Sequence, residues 1–371
     1  MYLYVIFGLL SLLAFWDVLL VPEKRPKGYG MLFFFVAFCL FVISAFRYER
    51  GTDWLAYEAY FRHCSVWEAQ SWMEPGYTWL NKVINLVTRN YSLMVFVGAV
   101  IIYTLKPRVI YLLAPFPFVA LLAWYAISIA DIFPVRQTIA SAFVLYSVIF
   151  IIRRQFIPFL IWVVIAATFH LTALVFVIAY FIFTIRLSSF WSLMAFVGSF
   201  VLALMAQGVM MQVLGSISNP IIQERLEHYL EQGADNTFGS AYSTSQVLIR
   251  GFLNRGIIMT LVFGLLNKRR EVDVVFNGWV NLFIFSSASF ALLSSVNVAL
   301  GRLVVYFDLS QIFILGYLFT RKMNRANRML IYSILVLYLI YRFYGVVNNY
   351  YDLYVPYKGL FWNYDMAVEL Y

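Results

Sequence analysis

Charge is scarce in this sequence. Asp, Glu, Lys and Arg make up 12% of its residues, whereas 63% are hydrophobic and the mean hydropathy is +0.81. That balance excludes an ordinary soluble domain. Cysteine is scarcer still, and Cys39 and Cys64 alone cannot build a disulfide framework or a metal cluster. The sequence holds three histidines, no HExxH and no CxxC, so it gives zinc or iron chemistry no support. The phosphate-cradling patterns GxGxxG and GxxxxGKS are missing, which argues against nucleotide-driven work. GxSxG is missing too, which lowers a lipase or esterase reading. No metal and no cofactor is expected.

Apolar runs of about 15 to 25 residues recur along the chain, each enough for a helix across a hydrocarbon layer about 30 Å thick. Lipid accepts only helices or closed barrels, and apolarity that is continuous rather than alternating excludes the barrel. The expected fold is therefore all-α, a single polytopic membrane domain over 1–371. The net charge of +9 would suggest nucleic acid in a soluble protein. Here it sorts by side of the membrane, and no nucleic acid is expected. The breaks holding Lys24, Arg25 and Lys27, then Lys106 and Arg108, Arg153 and Arg154, Arg186, Lys268 to Arg270, and Arg321 to Arg328 are assigned to the cytoplasm. About twelve spans follow, near 1–21, 30–46, 91–105, 109–127, 134–152, 156–169, 171–185, 189–214, 251–267, 275–295, 300–319 and 329–347, with both termini outside. The first run has neither a basic leader nor a small-residue cleavage site and reads as a retained span. About 30 apolar residues around His170 fit two short passes or one long tilted one. Three outer segments are expected: a loop with short helices over 47–90, a lid-like loop over 215–250 with an amphipathic helix from Pro220 to Gln232, and an aromatic tail over 348–371.

Polar chemistry gathers in Ala45 to Leu80, where the chain leaves its second span. Asp53, Tyr57, Tyr60 and Phe61 fall at helical spacings of three and four, which sets a carboxylate and aromatic rings on one face. Such a face suits a ring-shaped polar ligand, or it lies at the headgroup level as an interfacial helix. Six arginines, Arg47, Arg136, Arg250, Arg255, Arg302 and Arg342, fall on the outer half of the spans. The nearby acids are fewer: Asp53 and Asp131 at span ends, Asp308 within a span, and Asp17 near the cytoplasmic face. Each arginine taken singly can snorkel to the interface. As a set, outward guanidinium groups in surplus suit an anionic ligand, phosphate above all, because their planar forks match it. His170, in ATFHLTALVF, is either a hydrogen-bonded structural residue or a catalytic imidazole.

The string FRYERGTDWLAYEAYF followed by EPGYTWLNKVI resembles the opening signature of the EpsG-like members of the Wzy polysaccharide polymerases. PVRQTIASAFVLYS is similar to that family's Arg-Gln segment, ATFHLTALVF to its Phe-His segment, and GRLVVYF to its late arginine and tyrosine. Arg50 stands where the pattern has a small or apolar residue. The resemblance implies a GT-C-like or Wzy-like helical bundle with no cofactor. It implies roles for Arg47, Gly51, Asp53, Tyr57, Glu74, Gly76, Arg136, Gln137, His170, Arg302 and Tyr306. Catalysis then falls to Asp53, Glu74 and His170, in that order for a base. Diphosphate binding falls to Arg47, Arg136 and Arg302 with Arg250 and Arg255, and other substrate contacts to Tyr57, Gln137 and Tyr306. Asp53 has a second reading, as the counter-ion of Arg47 or Arg50.

The activity so implied joins oligosaccharide repeat units carried on undecaprenyl diphosphate at the outer face of a bacterial inner membrane. Its partners are the lipid-linked donor and acceptor, the bilayer and a chain-length regulator protein. Apolar grooves suit a polyprenyl tail, arginines a diphosphate, and aromatic faces with carboxylates suit sugars. An O-antigen ligase or membrane acyltransferase shares much of this architecture. A lipid-linked oligosaccharide flippase would show two similar bundles and fewer rim acids, and an ion-coupled transporter would use mid-span acids, for which Asp308 is the candidate.

Overall fold

The structure is a computed structural model that describes residues 2–20, 25–64, 73–205, 244–296 and 298–361. Among these, every regular element is a helix apart from one isolated bridge between Arg47 and Gly359. The expected lid helix at Pro220 to Gln232 lies outside the described residues. The chain divides into two compact units, 1–174 with 322–371, and 175–321.

The first unit contains α1 (Tyr2–Leu19), α2 (Tyr29–Ala45), the short α3 (Trp54–His63) and α4 (Pro75–Val87), then α5 (Ser92–Leu113), α6 (Pro117–Ile127), α7 (Arg136–Ile152) and α8 (Phe156–Phe169). A 3-10 stretch over Leu171–Ile178 leads into the second unit, which holds α9 (Ala179–Ile182), α10 (Ser189–Met205), α11 (Thr244–Leu265), α12 (Asn267–Val272) and α13 (Val274–Val296). A second 3-10 stretch, Val298–Val304, precedes α14 (Val305–Asp308) and α15 (Ser310–Tyr317). The chain then re-enters the first unit with α16 (Arg325–Asn349) and α17 (Tyr351–Tyr354). Among the described residues, six helical segments of at least 18 residues are long and apolar enough to cross a membrane, and six shorter apolar ones accompany them. They match the twelve runs of the sequence one for one.

In the first unit α1 packs on α6, α2 on α5, α5 on α7 and α7 on α8, with α16 against α1 and α6. One end carries basic residues: Arg25 donates to the Pro115 carbonyl and Arg328 to the Val18 carbonyl. Beside them Asp17, 1% exposed, accepts from the Tyr29 hydroxyl at 2.7 Å and the Phe118 N–H at 2.9 Å. The other end of α1 carries Tyr2, whose hydroxyl reaches the Tyr354 carbonyl. The 18 residues between them span about 27 Å, close to a hydrocarbon thickness.

One sequence expectation fails in an instructive way. Lys106 and Arg108 do not mark a break, because α5 runs unbroken through both with Pro107 in its interior, and the chain turns after Leu113, beside Arg25. The runs expected at 91–105 and 109–127 are thus Ser92–Leu113 and Pro117–Ile127. Lys106 is 1% exposed and donates to Asp131 at 2.6 Å and to the Ser141 hydroxyl at 2.7 Å, while the Trp124 indole N–H also donates to Asp131. A cation answered by a carboxylate inside the bundle need not mark a membrane surface. Asp131, read as a rim acid, is 3% exposed and serves this pair.

The second unit is centred on α13. Its Trp279 stacks on Phe313 at 4.0 Å, and Asn277 and Asn281 donate to the Ile185 carbonyl at 2.9 and 2.6 Å. The helix expected to start at 251 begins at Thr244.

Breaking one partner of a buried ion pair strands the other charge at a cost of about 3–5 kcal/mol. Lys106→Met is expected to destabilise the detergent-solubilised protein by about that much. Adding Asp131→Asn should recover much of the loss. Unfolding measured for both singles and the double checks this, and additive losses would contradict the pairing.

Candidate functional site

The loop that follows α2 is held in place by Arg47. The residue is 3% exposed, donates Nη1 to the Arg50 carbonyl and Nη2 to the Pro134 carbonyl at 3.2 Å, and lies over the rings of Trp54 and Phe133 at 5.2 and 5.4 Å. Burial, the largest cause, lowers its pKa to about 10, so it stays charged at neutral pH. Gly51 sits against it with φ of +113°, and a Cβ there would lie 3.2 Å from Arg47 Nη1 and 3.3 Å from the Phe133 Cβ. Backbone conformation and space both call for glycine. The tail straps the same loop: Tyr48 N–H donates to the Lys358 carbonyl at 2.8 Å, Leu360 N–H to Phe46 at 2.7 Å and Gly51 N–H to Leu353 at 3.0 Å. Arg50 donates to the Asp352 carbonyl at 2.9 Å, and Lys358 pairs with Glu49 at 2.9 Å.

This geometry does not give Asp53 the role of counter-ion to Arg47 or Arg50. Asp53 is exposed at the start of α3, where the Thr52 hydroxyl reaches it at 3.2 Å, and the bonds of Arg47 and Arg50 go to carbonyls. The rings expected beside it turn inward. Tyr57, Tyr60 and Phe61 are buried, Tyr60 with its hydroxyl 2.7 Å from Thr78 and Phe61 against Tyr91. A face that offers aromatic rings to solvent does not form; the rings build the contact of α3 with α4 and the start of α5.

Behind that contact four residues distant in sequence converge. Arg136 opens α7, where Thr138 closes the first turn by accepting from the Val135 N–H at 2.9 Å and donating to the Val135 carbonyl at 2.7 Å. Its Nη1 meets Glu74 Oε2 at 2.6 Å, and its Nε donates to the Tyr57 hydroxyl at 3.1 Å. Glu74, 7% exposed, precedes Pro75, which pre-sets the first turn of α4. Its second oxygen accepts the Leu171 N–H at 3.2 Å. His170 is the neighbour of that amide. It ends α8 in extended backbone, and its Nδ1 lies 2.6 Å from the Thr172 hydroxyl. Burial raises the Tyr57 pKa above its ordinary value against the opposing pull of Arg136, so the phenol is neutral and can accept from the guanidinium.

The approach of α4 to α8 depends on Gly76. A Cβ there would lie 2.3 Å from the Thr168 hydroxyl and 2.9 Å from the Thr168 carbonyl. Gln137 follows Arg136 on α7 and is half-buried. Chemically, a guanidinium and a backbone amide converge on one carboxylate, with a phenol bonded to the same guanidinium. That is an anion site, occupied by the protein's own carboxylate.

A family model described as the EpsG family matches residues 30–359. The chain belongs to the EpsG family. Both the anion site and the Arg47 loop lie within the matched stretch, and membership supports a polysaccharide polymerase-like role for this membrane protein. No curated protein and no solved structure matches the chain.

Arg250, Arg255, Arg302, Tyr306 and Asp308, also named from the sequence of this EpsG-family chain, lie in the second unit. Arg255 on α11 pairs with Asp308 at 2.8 Å and sits over the Phe290 ring at 3.9 Å, while the Ser286 hydroxyl donates to Asp308 at 2.6 Å. Asp308 thus serves an ion pair. Arg250 and Arg302 are exposed, and Tyr306 is 1% exposed. Arg342, on α16 of the first unit, donates to the Tyr338 hydroxyl. No group of three His, Cys, Asp or Glu side chains placed to hold a metal occurs among the described residues. Sequence reasoning missed the Leu171 amide, Thr168 and Thr172. HLT itself was the available signal, since a hydroxyl two residues after a histidine at a helix end can bond its ring.

Gly76→Ala is expected to cost about 1–3 kcal/mol, the range for overpacking a tight contact. Adding Thr168→Ala should restore part of that, because the Thr168 carbonyl stays. Denaturant unfolding in detergent reads this out, and a neutral Gly76→Ala would contradict the close approach.

Proposed function

We propose that the protein polymerises oligosaccharide repeat units carried on a polyprenyl diphosphate, undecaprenyl diphosphate in a bacterial inner membrane. The observation that carries this reading is the Glu74 carboxylate held between Arg136 and the Leu171 N–H. A phosphate oxygen can take either donor in its place.

In the reaction an acceptor hydroxyl oxygen attacks the anomeric carbon of the donor. The bond from that carbon to the diphosphate oxygen breaks, and the diphosphate leaves with the electron pair. Negative charge grows on the leaving oxygens, so a preorganised guanidinium lowers the barrier. When the diphosphate takes Arg136, Glu74 is released and receives the acceptor proton. His170, one residue from the Leu171 amide, is the second group able to carry that proton. Tyr57 fixes the Arg136 fork through Nε, and Asp53, exposed at the rim, orients the acceptor sugar. Arg47 shapes the loop from within, and Gln137, next to Arg136 on α7, is proposed for a further contact to the substrate. The basic residues Arg25 and Arg328 at the opposite end of the first unit support placing this site on the outer face.

The test is a pair of variants with binding and turnover measured separately. Arg136→Lys keeps the charge but loses the fork, so donor affinity and chain extension should both fall. Glu74→Gln is isosteric and gives up the competing negative charge. It should bind the lipid diphosphate at least as tightly as wild type and lose on the order of a hundredfold in extension. Weaker binding in Glu74→Gln together with early unfolding would instead make the carboxylate a scaffold. Wild-type ladders from Arg136→Lys would remove the diphosphate role.

A further inference from the structure

In the second unit α10 and α11 enclose a groove of about 880 Å³ whose wall is almost entirely apolar, with Phe190, Leu193, Phe252 and Ile257 among its lining. The lining is strongly exposed at Phe190 (62%), Leu193 (48%) and Leu253 (58%), which also lines the groove. The two helices meet where Phe196 and Phe200 pack on Phe252, and again where the Ser189 hydroxyl donates to Asn267 at 2.8 Å. Between them the α11 side is cut back by Gly256 and Gly264, whose Cβ positions face open space. From Phe252 to Asn267 the groove follows α11 and its continuation for about 22 Å, deeper than one leaflet of a hydrocarbon layer about 30 Å thick.

The Ser189 and Asn267 end differs in chemistry from the rest. Lys268 and Arg269 follow Asn267 directly and are exposed, as is Arg186 on the chain leading into α10. Arg270 is 5% exposed. It donates to the Leu187 carbonyl at 3.0 Å, the Ser192 hydroxyl at 2.7 Å and Asn277 at 3.0 Å, and its Nη1 has no partner. Its guanidinium lies 5.9 Å from the ring centre of Phe263, which lines the groove. Four cations at this end face two acids, Glu271 and Asp273, and Asp273 is engaged by Arg269 at 2.9 Å.

A long apolar slot ending in hydroxyl, amide and surplus positive charge has the chemistry of one amphiphile class. We infer that the α10–α11 groove is a binding site for an anionic phospholipid, with an acyl chain along Phe252 to Gly264 and the phosphate at Ser189, Asn267 and Lys268. Basic pockets between membrane helices hold such headgroups. The site is independent of the proposed polymerase reaction and is tested without it.

The measurement is native mass spectrometry of the full chain in detergent, with phosphatidylglycerol or phosphatidylethanolamine of matched chains added in turn, and with a polyprenyl phosphate then added in competition. The wild type is expected to retain phosphatidylglycerol several-fold more than phosphatidylethanolamine. Gly256→Leu with Gly264→Leu fills open space and should lower retention of both lipids several-fold at an unchanged melting temperature. Arg186→Gln with Lys268→Gln leaves the groove intact and should abolish only the preference for phosphatidylglycerol. Equal retention of the two lipids by the wild type would overturn the inference. So would unchanged occupancy in the filled groove, retention of a polyprenyl phosphate in place of phospholipid, or a shift from dimer to monomer on filling, which would make a second copy the occupant. If the filled variant does not fold, the Arg186→Gln, Lys268→Gln pair decides alone.

Discussion

A guanidinium withdrawn from water has to be met by a carboxylate or by several oxygen dipoles, and the first unit is built on that demand at Arg136. Glu74 answers it from the start of α4, Tyr57 from α3, and the Leu171 amide holds the far side of the same carboxylate. The first turns of α4 and α7 and the end of α8 are thereby brought to one point. Gly76 permits the approach and His170 ends the helix that closes it. Arg47 solves the same problem with carbonyls and rings, and so becomes part of the frame around the site.

This arrangement gives the polymerase reading its physical content. The Glu74–Arg136 pair is satisfied at rest, and under the proposed reaction it exchanges for a diphosphate, which offers more charge and more oxygens to the same donors. Exchange also couples two events. In the proposed reaction the diphosphate that takes the guanidinium frees the carboxylate proposed to accept the proton, so that base is exposed only when the donor has arrived.

Much of this was legible in the sequence. The all-α membrane fold and its twelve apolar segments follow from run length and composition, which act locally. Tyr57, Glu74, Arg136 and His170 stood out through their short motifs. Their partners did not, since Glu74 and Arg136 are 62 residues apart and no local period links them. Lys106 shows the same limit from the other side. Counted by sequence it marks a surface, but 25 residues later Asp131 neutralises it within the bundle. Asp53, Tyr57, Tyr60 and Phe61 were placed on one face by spacing alone, yet Asp53 lies at the helix start in solvent while the rings turn inward. The strap of the tail over the Arg47 loop depends on main-chain bonds, which side-chain patterns do not encode.

The most direct measurement is an experimental structure of the protein with a short-chain polyprenyl diphosphate bound. The account predicts a phosphate oxygen within hydrogen-bond distance of Arg136 Nη1 and the Leu171 N–H, with the Glu74 carboxylate displaced from both. An intact Glu74–Arg136 pair with the diphosphate seated elsewhere would contradict it.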